Sequence, residues 1–183
     1  MLQFFYDFIT HPKHFISKHS NTTPIKAGLL ASVIHGLVQT LLFQLNTSIT
    51  TLIMYTLLFT MLNLLLVLAT ATFIDFCAQL WTFKAQSKTL FFWFLLPYTF
   101  KGLLIPFFLL KHTLPGIIYI GIDLGLVFLI ITLQIHILKQ LYQSSRLKSV
   151  ILFLAPVILA FLSLFLSLLI IGKTVFEAVM GFV

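Results

Sequence analysis

Two ionisable residues, Lys101 and Asp123, stand inside otherwise apolar stretches of this sequence. Lys101 belongs to the run FFWFLLPYTFKGLLIPFF, residues 91–108, and Asp123 lies in the next apolar stretch. If the two stretches are antiparallel helices joined by a turn centred on His112, each residue lies about 16 Å from that turn, at about 1.5 Å of rise per residue. The spacing therefore predicts that the two side chains meet near the middle of a membrane.

Three interpretations of these charges are open. An unpaired charge at the centre of a membrane costs about 2.5 to 3.5 kcal/mol on insertion scales, so the first is a Lys101–Asp123 ion pair that fixes the register of two helices. The second is a site that moves or senses a proton, an ion or a lipid headgroup, with His35 in the first apolar stretch as a further candidate. The third is that a side chain reaches the interface unaided.

Pro97 and Pro106 flank Lys101 and Gly102. In an α-helix, Pro97 removes the donor to the carbonyl of Trp93, and Pro106 removes the donor to the carbonyl of Gly102. Irregular backbone persists inside a membrane only where protein or trapped water satisfies it. The prolines predict helix kinks, with a locally unwound segment as the alternative.

The composition excludes an ordinary soluble domain. Hydrophobic residues make up 60% of the chain, charged residues 8%, and the mean hydropathy is +1.12, whereas globular domains are about half apolar and about a quarter charged. Apolar runs of about 18 residues or more are typical of membrane-spanning helices. The sequence predicts an all-α integral membrane protein with five transmembrane helices, at residues 27–45, 49–77, 89–110, 114–138 and 149–171. They form one membrane domain, 27–173, and a short tail, 174–183, follows.

Residues 1–26 combine apolar and basic residues around Pro12. This pattern predicts an amphipathic segment that lies at the membrane interface, with a frayed tail as the alternative. No removable signal peptide is expected. Metals bind such residue types as His11, His14, His19 and Asp7, but a loose histidine-rich segment among lysines is more typical of a solvated surface.

The basic residues predict the orientation. The net charge is +7, but the lysines are scattered between apolar runs, which favours a topology signal over nucleic-acid binding. Eight basic residues fall on the side of the N-terminus: Lys13, Lys18, Lys26, Lys84, Lys88, Lys139, Arg146 and Lys148. Only Lys111 and Lys173 fall on the other. By the positive-inside rule, the N-terminus is cytoplasmic and the C-terminus is outside.

Small residues recur every fourth position in two spans, at Gly28, Ser32 and Gly36 and at Gly121 and Gly125. This spacing lets helix backbones approach closely, within the chain or between proteins. Gly121 and Gly125 lie on the helix face opposite Asp123. The fourth span is therefore expected to have neighbours on both sides and a central position.

No enzyme motif is present. The chain has no glycine-rich phosphate loop, no HExxH pair and no GxSxG elbow. Its carboxylates are Asp7, Asp75, Asp123 and Glu177. The first three are expected at different depths, with Asp75 near the surface, so no acid–base pair is predicted. Neither a cofactor nor a metal is expected, and the single cysteine, Cys77, forms no intrachain disulfide.

The order of features resembles the Yip family, the Ypt-interacting membrane proteins and their bacterial relatives. Three pieces carry the resemblance: the opening DFITHPKHFISK, the LLPYTF of the third span, and the five-span layout with the N-terminus inside. The resemblance implies an all-helical membrane domain without catalytic residues, and in eukaryotic members it implies Rab-type GTPase partners.

This chain departs from those eukaryotic members. It lacks a long cytoplasmic N-terminal region and a DLYGP-like motif, so a GTPase partner is not expected. A compact bacterial member in the cytoplasmic (inner) membrane fits better. The resulting prediction is a non-enzymatic protein that associates with membrane lipids, other membrane proteins or itself. The alternative is a small transporter or channel built on Lys101 and Asp123.

Overall fold

A computed structural model describes residues 2–43, 48–109 and 116–180. No strand occurs in these ranges, so the predicted all-α class is confirmed. The α-helices are α1 (Leu2–Thr10), α2 (Pro12–His19), α3 (Ile25–Phe43), α4 (Ile49–Leu80), α5 (Ser87–Leu95), α6 (Ile105–Leu109), α7 (Gly116–Leu141) and α8 (Arg146–Met180). A 3₁₀ segment, Leu96–Leu104, joins α5 to α6.

Five stretches of the described chain are long and apolar enough to cross a membrane, as predicted. They are Ile25–Leu42, Ile49–Leu80, Ser87–Phe108, Ile120–Leu141 and Arg146–Ile171. The third combines α5, the 3₁₀ segment and α6. The predicted turns around Asn46 and His112 lie outside the described residues. At about 1.5 Å per residue α4 is about 48 Å long, so it tilts in, or projects from, a core about 30 Å thick.

Helices α3 and α4 form the predicted antiparallel pair. Asn63 Nδ2 donates to Ser32 Oγ over 3.0 Å, and the Thr56 hydroxyl donates to the Thr40 hydroxyl over 3.3 Å. The residue number rises along α3 as it falls along α4, so the helices run in opposite directions. Polar side chains inside the pair satisfy one another, which removes the cost of leaving them unpaired in an apolar interior.

The third span, rather than the fourth, is central. It packs against α3, α4 and α7, and the side chains of Leu90, Trp93 and Leu104 are completely buried. In the fourth span a much smaller share of residues is buried, and the space beside Gly121 and Gly125 is open. The expectation of a central fourth span was wrong because the small residues of that helix are not in contact with a packed neighbour, since nothing lies within 4 Å of a Cβ at either glycine.

The N-terminal segment is a helical hairpin that packs onto the bundle. Helices α1 and α2 meet through Phe4 and Phe15, whose ring centroids are 4.5 Å apart. Phe8 lies 5.6 Å from Phe100 and Phe15 lies 6.3 Å from Trp93 between ring centroids. Phe8 and Phe15 are buried. The segment is therefore not a frayed tail, and its apolar face is covered by protein.

Three turns meet at one end of the bundle. The hydroxyls of Thr23 and Thr89 are 3.2 Å apart, and Trp93 Nε1 donates to the carbonyl of Thr22 over 2.8 Å. Gln86 Nε2 donates to the carbonyl of Leu141 over 3.2 Å. The residues around 20–24, 81–86 and 142–145 therefore share this end, and the lysines next to these turns lie there too.

Helix α8 has 35 residues and continues past Gly172 and Lys173, where the sequence had predicted its end. One glycine inside a helix costs only about 1 kcal/mol, which does not terminate it. The first turns of α8 pack on the bundle, where Ser149 and Leu152 are buried. Every residue from 157 to 169 is exposed.

Candidate intramembrane site

Lys101 lies on the 3₁₀ segment, which is nine residues long and starts one residue before Pro97. Runs of 3₁₀ helix longer than three or four residues are uncommon, and a long one in mid-helix is typical of strain or of a functional hinge. The chain is helical throughout this segment, so the unwound alternative is not observed, and the helix kinks at Pro97 and Pro106 stay a prediction. Between the prolines the backbone is wound more tightly than an α-helix.

Donors are found for carbonyls that the prolines would otherwise leave without a hydrogen bond. The amide of Ile105 donates to the carbonyl of Gly102, which Pro106 cannot serve. In 3₁₀ geometry the carbonyl of Phe94 would need the amide of residue 97, which is a proline. Gln134 Nε2 of α7 donates to that carbonyl instead, over 3.3 Å, and Gln134 is buried. Protein groups thus satisfy both of these carbonyls.

Lys101 and Asp123 are brought together, with Lys101 Nζ donating to Asp123 Oδ1. They are unequally buried, because the Lys101 side chain is 6% exposed and the Asp123 side chain 32%. The pair links the 3₁₀ segment to α7 and so fixes the register of the third span against the fourth. Because the buried Lys101 amine is paired with the Asp123 carboxylate, the Lys101 side chain can move freely only if the ion pair breaks.

His35 of α3 lies beside the pair, near enough for the charges of both Lys101 and Asp123 to act on it. Its ring centroid is 4.7 Å from that of Tyr98, and its Nδ1 atom is buried without a hydrogen-bond partner. Tyr98 in turn interacts with the Gln134 side chain. These five polar residues from α3, the 3₁₀ segment and α7 form one connected group, which we call the intramembrane cluster.

Of these residues, Tyr98 and Gln134 were not singled out from the sequence. Gln134 carried a usable signal, since an amide inside an apolar span requires a partner there. Tyr98 carried none, because tyrosine is common near membrane interfaces. The function of Lys101, Asp123 and His35 remains a prediction, although their proximity is a structural fact.

The small residues of α3 are used inside the chain. A Cβ atom at Gly36 would lie 2.8 Å from the carbonyl oxygen of Thr56 and would also collide with Thr60. A Cβ at Gly28 would lie 2.8 Å from the carbonyl oxygen of Phe92. Ser32 is buried between them. This face therefore packs on α4 and α5 and is not available to another protein.

Asp75 forms a second polar centre that the sequence did not reveal. It was expected near the membrane surface, and the structure shows in addition that protein buries it completely. Its carboxylate accepts hydrogen bonds from the amide of Gln86 at 2.7 Å, Ser87 Oγ at 2.5 Å, Tyr142 Oη at 2.5 Å and Gln79 Nε2 at 3.0 Å. Four donors offset the cost of burying the charge. Asp75 thus ties α4 to the start of α5 and to the turn after α7.

Tyr142 completes this centre. Burial raises the pKa of its hydroxyl strongly, and the adjacent Asp75 carboxylate, which accepts its proton in a hydrogen bond, raises that pKa further. The hydroxyl is therefore a permanent donor to Asp75 at neutral pH. The geometry is that of a structural joint between three segments, with every carboxylate contact to a neutral donor.

No group of three or more histidine, cysteine or acidic residues placed to bind a metal occurs in the ranges that the structure describes. Cys77 is a free thiol. No protein-family model, curated protein or solved structure matches the chain. Inferences about function therefore depend on the geometry and on the sequence.

Proposed function

We propose that this protein is a non-enzymatic integral membrane protein that acts by associating with another membrane protein through α8. The observation that carries the proposal is the exposure of every residue from 157 to 169, on all sides of the helix. Exposed apolar residues are ordinary in a membrane, but the other long spans bury at least one face. Helix α4, for example, buries Asn63, Val67 and Ala71.

Helix α8 also carries a seam of small residues, Pro156, Ala160, Ser163 and Ser167, at intervals of four, three and four. Small residues in this arrangement allow two transmembrane helices to approach closely, where dispersion contacts between side chains drive association. The Ser163 and Ser167 hydroxyls donate to the carbonyls of Ala160 and Ser163, over 2.9 and 2.8 Å. An apolar helix therefore meets no unsatisfied hydroxyl at this seam.

Space for a few side chains of such a helix exists beside the seam. Pro156 and Ala160 line two cavities of about 390 and 510 Å³ at the junction of α4 and α8. Thr70 of α4 lines both cavities. Beyond this junction α8 is exposed, so a partner helix can enter between the two spans.

The remaining parts of the proposal come from the sequence. The basic residues favour a cytoplasmic N-terminus and an outside C-terminus. The family resemblance favours a bacterial inner membrane. The motifs DFITHPKHFISK and LLPYTF favour a Yip-like protein. Such a protein acts through binding rather than catalysis, which agrees with the absence of enzyme motifs from the sequence.

Photo-cross-linking along α8 in native membranes tests the proposal. A photoreactive amino acid is placed at each position from 157 to 169, and at Leu57 and Leu65, exposed residues of α4, as controls. We expect protein adducts at positions near Ala160, Ser163 and Ser167, and lipid adducts elsewhere. Ala160→Leu should abolish the protein adducts. Lipid adducts alone at every α8 position would contradict the proposal.

A second function, transport through the intramembrane cluster, is favoured by one observation. His35 Nδ1 is buried without a partner next to an ion pair whose Asp123 side chain is one-third exposed. An ion path requires water at this depth. In a Cys77→Ser background, cysteines at Leu103 and Leu124 report on water access. Labelling of either by an aqueous thiol reagent in membranes supports transport, whereas protection of both leaves the association proposal.

A further inference from the structure

A groove with a basic rim lies between the N-terminal hairpin and α7. It has a volume of about 670 Å³. The turn of the hairpin forms the rim, with Thr10, His11, Pro12, Lys13 and His14. The wall consists of α7 residues: Gly125, Phe128, Leu129, Thr132 and Leu133. One side of the groove is therefore polar and basic, and the other is almost entirely apolar.

The rim attracts anions. Lys13 and His14 are exposed, and Asp7, the one acidic residue of the hairpin sequence, does not line the groove. Helix α2 begins at Pro12, and His11 at its N-cap makes no side-chain capping hydrogen bond. The first amides of a helix have no partner within it, and the helix dipole adds positive potential there. The exposed lysine and the N-terminus of α2 thus lie on the same rim.

The wall is shaped for a flexible apolar chain. Nothing lies within 4 Å of a Cβ placed at Gly125 or at Gly121, one turn further along α7. The span from Gly125 to Leu133 is about 12 Å at about 1.5 Å per residue. The Thr132 hydroxyl donates to the carbonyl of Phe128 over 2.9 Å, so it presents no free donor to an apolar occupant.

The rim is held against the wall. His136 of α7 interacts with the backbone of Lys13, and Phe8 and Phe15 anchor the hairpin on the third span. The fold therefore fixes the backbone of Lys13 beside α7. A headgroup bound at Lys13 would have its acyl chain directly beside α7.

We infer that this groove binds an anionic phospholipid, with the phosphate at Lys13 and an acyl chain along Gly125 and Phe128. Charge complementarity selects the occupant, since a transmembrane helix of a partner would leave the basic rim without a counter-charge. In the proposed orientation the rim faces the cytoplasmic leaflet, where anionic lipids attract basic residues. The inference does not depend on association through α8.

Lipid binding to the full-length protein in mild detergent tests the inference, by native mass spectrometry with phosphatidylglycerol and phosphatidylcholine. We expect phosphatidylglycerol to bind at least fivefold more tightly. Lys13→Gln should weaken its binding by about fivefold, the effect of one basic residue near an anionic surface. Lys18→Gln, which removes an exposed lysine of α2 outside the groove, is the matched control and should leave binding unchanged.

A second pair of variants tests the wall. Gly125→Leu fills the groove and should weaken binding of both lipids, whereas Gly121→Leu, outside the groove lining, should not. Both sites are open, so both variants should fold. Equal binding by Lys13→Gln and Lys18→Gln, or full binding by Gly125→Leu, overturns the inference. Displacement of the lipid by millimolar inorganic phosphate would also overturn it, because it would identify an anion site without an acyl groove.

Discussion

The two partners of the Lys101–Asp123 ion pair are buried to different degrees. Lys101 is almost completely enclosed, while Asp123 keeps about a third of its side chain exposed. Removing one partner leaves the other charge without compensation, and the cost grows with burial. The two halves of the pair should therefore respond differently to mutation.

Asp123→Leu should lower the yield of folded protein more than Lys101→Met, because it leaves the more deeply buried charge unpaired. The expected cost is about 2.5 to 3.5 kcal/mol on insertion scales. The double variant should recover most of the yield. Monodisperse protein in mild detergent is the measurement, and Lys88→Met, an exposed lysine, is the control. Additive losses in the double variant would contradict a structural pair.

The pair could be predicted from sequence because both residues belong to adjacent helices, and equal distances from one turn place them at one depth. Asp75 could not be predicted in this way. Its donors come from the end of α4, the start of α5 and the turn after α7, so they lie up to 67 positions from Asp75 in the chain. Only the folded arrangement of these segments assembles that centre.

Tyr142 predicts how stability responds to alkaline pH. An unfolded tyrosine ionises near pH 10, whereas burial and Asp75 raise the pKa of folded Tyr142 above that value. Above about pH 10 the unfolded state therefore binds fewer protons than the folded state, and stability falls as pH rises. The contribution of the protonated Tyr142 hydroxyl to the free energy of unfolding is fully present below about pH 10.

Thermal unfolding between about pH 8 and 11 should show this loss in the wild type. Tyr142→Phe should be less stable at neutral pH, because it loses one hydrogen bond to Asp75, but its stability should decline less steeply above pH 10. Tyr6→Phe, at an exposed tyrosine of α1, is the control. Parallel declines in wild type and Tyr142→Phe would refute this account.

Among the elements, the 3₁₀ segment departs most from the prediction. Proline chemistry predicted which carbonyls lose their donors in an α-helix, but not how the chain would compensate. The compensation uses Gln134, which lies 40 residues away from Phe94. The neighbouring helix thus supplies a donor to a carbonyl that the α-helical argument had not named.

Gln134→Leu should destabilise the protein by about 1 to 3 kcal/mol, the usual cost of one unsatisfied buried group. In a Pro97→Ala background the cost should shrink, because the backbone amide that this substitution restores can then donate to the carbonyl of Phe94. The double-mutant cycle is measured by unfolding in detergent. An equal cost of Gln134→Leu in both backgrounds would exclude this compensation.

The glycines of α3 and α7 should differ in how well they tolerate substitution by alanine. Gly36→Ala forces a methyl group against the backbone of α4 and should lower the melting temperature or prevent folding. Gly121→Ala meets open space and should be neutral or slightly stabilising, since alanine favours helix by about 1 kcal/mol. Circular dichroism melts of both variants make the comparison. A lower melting temperature for Gly121→Ala than for Gly36→Ala would contradict the close contact of Gly36 with α4.

At the scale of the molecule, three turns with their neighbouring lysines share one end, which we predict to be cytoplasmic. In a Cys77→Ser background, Gln143→Cys at this end should resist an impermeant thiol reagent applied from outside. Ile49→Cys, at the start of α4 on the opposite end, should react. Lysis should expose Gln143→Cys, which controls for burial. The reverse pattern would invert the proposed orientation.

Hydropathy predicted the number and approximate position of the spans because each span is a local feature of the sequence. It did not predict which span is central, since burial within the bundle depends on neighbours. The N-terminal hairpin illustrates the same limit. Its amphipathic pattern is equally suited to a lipid surface and to a protein surface, and the aromatic contacts of Phe8 and Phe15 place it on the bundle.

The position of this hairpin has a consequence for the timing of assembly. The hairpin precedes the five spans in the sequence, yet Phe8 contacts Phe100 and Lys13 interacts with His136, so its docking surface is complete only after α7 has been made. At about 5 to 20 residues per second, the intervening 120 or so residues take roughly 6 to 24 seconds to synthesise. The hairpin is thus among the last elements to dock, and Phe8 and Phe15 stay uncovered until α7 is in place.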